Sequence, residues 1–187
     1  MGNGVKVLLL ASGGIDSTAL LNFYISKKED LECIHFQYGQ PSAKSEKNSI
    51  EKIAEYYDVK LKTIILPLPI YRKKYEFLSR NALFVLIASS LGVIPSRISL
   101  GIHSGSHYYD STKNFLKDCQ QLLDGYFYGA VRIEAPFIEF DKKEIIEYSK
   151  INEVPLNLTY SCLTKNFPPC GECPSCIDRR DLLTNER

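Results

Sequence analysis

Val7-Leu8-Leu9-Leu10-Ala11-Ser12-Gly13-Gly14-Ile15-Asp16-Ser17-Thr18-Ala19-Leu20-Leu21 is the stretch that decides the fold. It opens with an apolar run of strand length and closes on apolar residues that continue to Ser26 with helical spacing. Between them Gly13 and Gly14 allow a tight turn and let backbone N–H groups approach a ligand closely. The helix that follows aims its positive N-terminal end at the same point. A strand, a glycine loop and a helix start in that order hold phosphate oxygens, so the chain is expected to use a nucleotide. The plainer alternative is a strand-to-helix turn with Asp16 or Ser17 as N-cap.

Outward from this stretch, strands and helices alternate. Apolar patterning predicts strands over Val5–Ala11, Leu31–Phe36, Val59–Leu66, Arg97–Ile102 and Val131–Ala135. Helices are predicted over Ser17–Ser26, Ser42–Tyr57, Ser79–Leu91 and Thr112–Leu123, and from an Asp141 cap to about Lys150. Pro67 and Pro69 end the third strand, Ser79 is the expected cap of the third helix and Gly92 its stop. Tyr71–Phe77 is a basic, aromatic connection, and a polar loop runs from His103 to Ser111. The pattern predicts an α/β, Rossmann-like, doubly wound parallel five-stranded sheet, with ligands at the carboxyl ends of its strands. Residues 1–187 read as a single domain, with residues 160–187 as a cysteine-rich loop and short charged helix within it.

The bulk properties narrow the function. Lys and Arg total 23 against 22 Asp and Glu, a net charge of +1 with the signs interspersed. That argues against a nucleic-acid coat or a membrane surface as partner. Apolar runs are strand-length, too short for a bilayer. The start, Met1 to Lys6, has no secretory pattern, and Lys6 stands where a myristoylation signal wants Ser or Thr. The expected compartment is the cytoplasm.

The glycine loop fits neither of two common phosphate loops. No lysine follows Gly14, as a Walker A loop requires, and Asp16 and Ser17 stand where a dinucleotide fingerprint has its third glycine. The six cysteines divide unevenly: Cys162, Cys170, Cys173 and Cys176 form Cys-x7-Cys-x2-Cys-x2-Cys, while Cys33 and Cys119 read as buried small apolar residues. Four thiolates with turns at Gly171 and Pro174 suit a closed, structural Zn²⁺ site. The Cys-x2-Cys-x2-Cys part also has iron–sulfur spacing, and disulfides or free thiols complete the alternatives. Lys165, Arg179 and Arg180 are candidates to offset the cluster's charge.

Ser12-Gly13-Gly14-Ile15-Asp16-Ser17-Thr18 resembles the pyrophosphate loop of the PP-loop ATPases, enzymes that split ATP into AMP and pyrophosphate. With the cysteine pattern, the resemblance narrows to the 7-cyano-7-deazaguanine synthase (QueC) family and spans nearly the whole chain. It is carried further by His35-Phe36-Gln37-Tyr38-Gly39-Gln40, Arg80-Asn81, Gly101, Pro136 with Lys142 and Glu144, and Tyr160-Ser161-Cys162. The resemblance implies an ATP-dependent C–N ligase, with Mg²⁺ on the phosphates. It would adenylylate the carboxylate of 7-carboxy-7-deazaguanine, amidate it with ammonia and dehydrate the amide to a nitrile. It implies that Ser12, Gly13, Gly14, Asp16, Ser17 and Thr18 hold ATP and pyrophosphate, and that Asp16, Lys142 and Arg80 act in catalysis. It further implies that Gly101, His103, Tyr108 and Asp110 line the substrate site and that Cys162, Cys170, Cys173 and Cys176 hold zinc.

The chain departs from the family pattern at Pro41-Ser42-Ala43, in the compressed segment Pro67–Leu78, and in the loop after Gly101, where Ser106 and His107 replace an early aspartate. These changes surround the substrate rather than the phosphates. Rival functions are a QueC-like ligase that joins the carboxyl to another amine, such as a protein terminus in bacterial antiviral defence, a tRNA-thiolating PP-loop enzyme, and a non-catalytic nucleotide- or zinc-binding module. The near-neutral charge argues against tRNA. A homodimer built on the third helix or on Tyr126 and Tyr128 competes with their use as core.

Overall fold

An apolar strand with no polar face needs cover on both sides, and β1 (Val7–Leu10) accordingly takes the centre of the sheet. The computed structural model describes residues 6–66, 77–92, 94–105 and 108–184. Beside β1 lie β2 (Leu31–Gln37) and β4 (Arg97–Leu100), with β3 (Lys60–Ile65) and β5 (Arg132–Glu134) at the edges. The order is β3-β2-β1-β4-β5 and every pairing is parallel, with Val7 opposite both Leu31 and Arg97. This is the expected doubly wound α/β sheet, and its order reverses between β1 and β4, where such sheets bind ligands.

Strand alternation divides the core. Val7, Leu9, Leu31 and Cys33 face α1 (Ile15–Ser26), α2 (Ala43–Tyr56) and α5 (Lys142–Ile151) through Leu20, Ile50, Ile53 and Ile145. Leu8, Ile34, Phe36, Ile98 and Leu100 face α3 (Arg80–Ser89) and α4 (Lys113–Phe127) through Phe84, Val85, Phe115 and Leu123. Cys33 and Cys119 are buried in these two layers, as expected of small apolar residues. The last helix, α6 (Pro174–Thr184), belongs to the cysteine-rich end. Among the described residues, no helix is long and apolar enough to cross a membrane.

Several boundaries move for local reasons. α1 begins at Ile15 rather than Ser17, because Gly14 takes the N-cap position in extended conformation and no side chain caps the helix. Ser79 does not cap α3: it sits at φ 62° and its hydroxyl makes no capping bond. α4 runs past Leu123 to Phe127 and ends where Tyr128 turns left-handed at φ 52°. Its own cap is Thr112, whose Oγ1 accepts from Phe115 N–H at 3.1 Å. The expectations for Val5, for Pro67 and Pro69, for residues 71–76 and for Ser106 and His107 lie outside the described residues.

Candidate active site

A cavity of about 610 Å³ opens at the carboxyl ends of β1, β2 and β4, a volume typical of small-ligand sites. Its floor is the loop between β1 and α1, contributing Ser12, Gly14, Ile15, Asp16 and Ser17. The loop is tied internally: Ser12 Oγ accepts from Gly14 N–H at 3.2 Å and lies 3.2 Å from Ser17 Oγ. Thr18 Oγ1 donates to Gly14 O at 2.8 Å and its side chain is buried, so Thr18 shapes the turn from behind. Gly13 also works from behind. At φ +79° it lies against α2, where a Cβ would stand 2.9 Å from Glu46 O and 3.0 Å from Ile50 N.

Asp16 lies on the first turn of α1 and faces a lysine and a histidine. Lys142 Nζ donates to Asp16 Oδ1, and His103 Nε2 stands 3.8 Å from Oδ2. The lysine is placed by a capping box: Asp141 Oδ1 accepts from Glu144 N–H at 2.9 Å while Glu144 Oε2 accepts from Asp141 N–H at 2.7 Å. That box fixes the first turn of α5, from which Lys142 reaches the cavity. His103 Nδ1 accepts from Gly105 N–H at 3.1 Å, so its neutral tautomer carries the proton on Nε2, toward Asp16. Burial lowers the His103 pKa; Asp16 works against that and Lys142 with it. Gly101, at the end of β4, brings strand and helix together, since a Cβ there would sit 3.1 Å from Ser17 N and Cα.

The remaining walls come from β2, α3 and the cysteine-rich end. Glu46 accepts from Gln40 Nε2 at 2.8 Å and from Ser42 Oγ at 2.5 Å, which fixes the bend after β2. His35, almost fully buried, donates from Nδ1 to Ala11 O at 3.1 Å, and its Nε2 has no hydrogen-bond partner. Arg80, the first residue of α3, lines the cavity and holds Asn81 Oδ1 at 3.3 Å through Nε. Tyr160, Ser161, Leu163, Thr164, Asp178 and Arg179 complete the enclosure.

The four clustered cysteines converge: their sulfurs all lie within 4.8 Å of one another, and none is in a disulfide. Backbone N–H groups of Cys170, Cys173 and Leu163 donate to Cys162, Cys170 and Cys173 sulfurs at 3.3–3.5 Å. Burial alone would push the Cys162 thiol up. Hydrogen bonds from Thr164 and from backbone N–H groups outweigh it and bring the pKa down to about 5. Burial and the neighbouring thiols push Cys176 up to about 12. Sulfurs crowded this closely and served by N–H donors are a donor set for one thiophilic cation. The element is bound to the rest of the site. Tyr160 N–H donates to Gly13 O at 2.9 Å, and Ser45, near the start of α2, exchanges hydrogen bonds with Asn166 and Phe167 at 2.9 and 2.8 Å.

The family model described as queuosine biosynthesis protein QueC matches residues 6–74 and 72–186. The chain belongs to the QueC family. Among its QueC relatives, the 7-cyano-7-deazaguanine synthase of Campylobacter jejuni is 31% identical, covering 93% of this chain and 91% of that protein. 7-Cyano-7-deazaguanine synthase 1 of Desulfitobacterium hafniense is 30% identical over 95% of this chain and 91% of its own length. Among solved structures, a 4-thiouridine synthetase–RNA complex with bound ATP aligns with a TM-score of 0.58 at 19% identity, covering 97% of this chain and 50% of that one. NMN synthetase from Francisella tularensis aligns at 0.55 with 16% identity, covering 89% and 70%. These likenesses show a shared α/β fold.

The QueC substrate residues expected in the loop after β4 are placed less uniformly. Gly101 lines the cavity, His103 stands behind Asp16, and Tyr108 and Asp110 do not line it. Asp110 lies in a 3-10 turn (Tyr109–Ser111) bound to the start of α3. Its Oδ2 accepts from Asn81 N–H at 3.2 Å and its carbonyl from Asn81 Nδ2 at 2.8 Å. It therefore does for α3 what Ser79 was expected to do. Gln40, Glu46, Ser161 and Asp178 were not singled out as site residues, and Arg179 was read only beside the cysteines. Nothing in their local spacing brings them to the phosphate loop; the packing of the cysteine-rich end and of α2 does.

Proposed function

We propose that this QueC-family chain, acting as one domain, activates the carboxylate of 7-carboxy-7-deazaguanine with ATP and converts it to a nitrile. One observation carries the reading: the Ser12–Ser17 loop and the Asp16–Lys142 pair form the floor of a ligand-sized cavity that also presents Arg80. A carboxylate oxygen attacks the α-phosphorus of ATP, and pyrophosphate leaves into the cradle of loop N–H groups and hydroxyls. Ammonia attacks the acyl-adenylate carbon and displaces AMP, giving the amide. The amide oxygen attacks a second ATP, again releasing pyrophosphate. Loss of AMP and two protons from that imidate leaves the nitrile.

The residues contribute position and charge. Lys142 gives up its bond to Asp16 to follow charge onto the leaving phosphates, and Asp16 would then hold Mg²⁺, which would supply charge screening of the phosphates. Arg80 takes the substrate carboxylate as a fork. Cys162, Cys170, Cys173 and Cys176 would hold Zn²⁺, which would supply structural cross-linking only.

Incubation with ATP, Mg²⁺ and 7-carboxy-7-deazaguanine, with and without ammonium, tests this by AMP release and product mass. A nitrile with two AMP per turnover is expected. An amide that never becomes a nitrile, or transfer to another amine such as a protein terminus, replaces this reading with that of an amide-forming ligase. No AMP with any amine removes the catalytic reading altogether.

A further inference from the structure

The cysteine-rich wall of the cavity carries a cation that, among the described residues, no carboxylate pairs. Arg179 lies on α6, one helical turn beyond Cys176, half-buried, with its side chain on the cavity. Its guanidinium donates to Thr159 Oγ1 at 2.6 Å, to Leu156 O at 2.8 Å and to Ser161 Oγ at 3.4 Å. All three partners are neutral. Among the described residues no carboxylate comes within ion-pairing distance of it. Neighbouring Asp178 makes no ion pair with it, Asp16 is taken by Lys142, and Glu46 by Gln40 and Ser42. A guanidinium offers five N–H groups and stays charged, so two donors remain for a ligand. Burial lowers the guanidinium's pKa and the Cys176 thiol one turn away opposes the shift; the cysteine sulfur leaves the two spare donors open to an anion in the cavity.

The position says which anion. Between Arg179's partners Thr159 and Ser161 stands Tyr160, whose N–H donates to Gly13 O at 2.9 Å. Tyr160 O lies 3.7 Å from where a Cβ on Gly14 would be. The segment that anchors the guanidinium is thus in contact with the phosphate loop itself. Arg80 is differently placed, at the start of α3, which packs on the other face of the sheet.

We propose that Arg179 is a polyphosphate-binding residue, adding to the Ser12–Ser17 loop a cation delivered by the cysteine-rich element. This rests on the reading of that loop as a pyrophosphate site. It makes the cysteine element part of nucleotide binding as well as a cross-link, because α6 is positioned through Cys173 and Cys176.

Calorimetric titration of the metal-loaded protein with Mg²⁺-pyrophosphate and, separately, with adenosine tests the proposal in wild type, Arg179→Gln and Arg179→Lys. Loss of one charged fork should weaken pyrophosphate by about tenfold in R179Q. R179K should fall between, since a lysine restores charge without the fork. Adenosine affinity and metal content should not change. Pyrophosphate affinity within about twofold of wild type in R179Q (well under the tenfold of one charged hydrogen bond), or an equal loss for adenosine, overturns the proposal. If R179Q does not fold, R179K decides: unchanged pyrophosphate affinity overturns the assignment, and selective weakening upholds it. A wild-type protein that binds neither ATP nor pyrophosphate overturns the phosphate-loop reading and this proposal together.

Discussion

The two ends of the cavity are built differently. At the phosphate end the groups are tied to other elements: Gly13 to α2 and Tyr160, Asp16 to Lys142, and the cysteine-rich loop to Ser45 by two hydrogen bonds. At the end formed by the loop after β4, Tyr108 is 49% exposed and the Asp110 carboxylate is engaged with the backbone of α3. Members of one fold diverge in the site that recognises the substrate. Under the proposed function, the phosphate end bears on how ATP is cut and the other end on what is joined.

The comparison is broken most severely at Asp16. Asp16→Ala removes the partner of Lys142 and the carboxylate available to Mg²⁺, and AMP formation should fall by about a hundredfold or more, the scale of losing a central electrostatic group. Metal content should be unchanged, because the cysteine cluster does not contact Asp16. A variant that releases AMP at the wild-type rate would show that the phosphate end is a scaffold rather than a reaction centre.

Next in size is the cluster itself. Cys173→Ser, or chelation of the wild-type protein, should release a bound metal and cost several kcal/mol, because among the described residues the buried cysteine cluster has only Tyr160 and Leu163 as further apolar core. The melting temperature should drop, and nucleotide affinity with it, since Tyr160 and Ser45 transmit the loss to the loop. Elemental analysis of the purified protein identifies the metal as zinc or iron. Loss of metal with unchanged melting would separate the element from the rest of the phosphate end.

The phosphate end was legible in the sequence because its determinants are contiguous. Ser12 to Thr18 specify strand, turn and helix start within seven residues, and the cysteines announce themselves by spacing. The five parallel strands were legible from apolar runs for the same reason. What stayed hidden depends on contacts across long separations. Asp110 lies 29 residues from the amide it accepts, and Arg179 lies 20 residues from Thr159. A serine before a helix looks like a cap, and only the fold shows that Ser79 is turned away while an aspartate from another loop takes the place. Gly13 and Gly101 were read for approach to a ligand, yet part of their constraint is the approach of α2 and α1.

Asp110 allows the other end of the comparison to be probed at smaller cost. Asp110→Ala leaves Asn81 N–H without its acceptor and should destabilise the protein by about 1 kcal/mol, the value of a helix cap. Activity at saturating carboxylate should be close to wild type. The measurement that sharpens the comparison is KM for the carboxylate substrate. An increase of more than about tenfold, equivalent to 1.4 kcal/mol of lost binding, would mean that Asp110 leaves α3 to read the base when substrate enters.

The smallest expected effect is a pH dependence at His35, beneath the phosphate end. Burial lowers its pKa from 6.5; the Ala11 carbonyl, Glu46 and Glu51 oppose the shift and Lys47 assists it. In the unfolded chain the imidazole takes its proton near the unshifted value, and in the fold only at lower pH. Below pH 6.5 the unfolded state therefore binds more protons, so the neutral ring stabilises the fold above that pH and the contribution is lost as pH falls. For one group the slope is at most about 1.4 kcal/mol per pH unit. His35→Gln cannot titrate, so it should lose less stability than wild type in urea unfolding between pH 7.5 and 5.5, whatever it loses at neutral pH. If the two proteins lose stability in parallel, His35 is not the group that acid reaches.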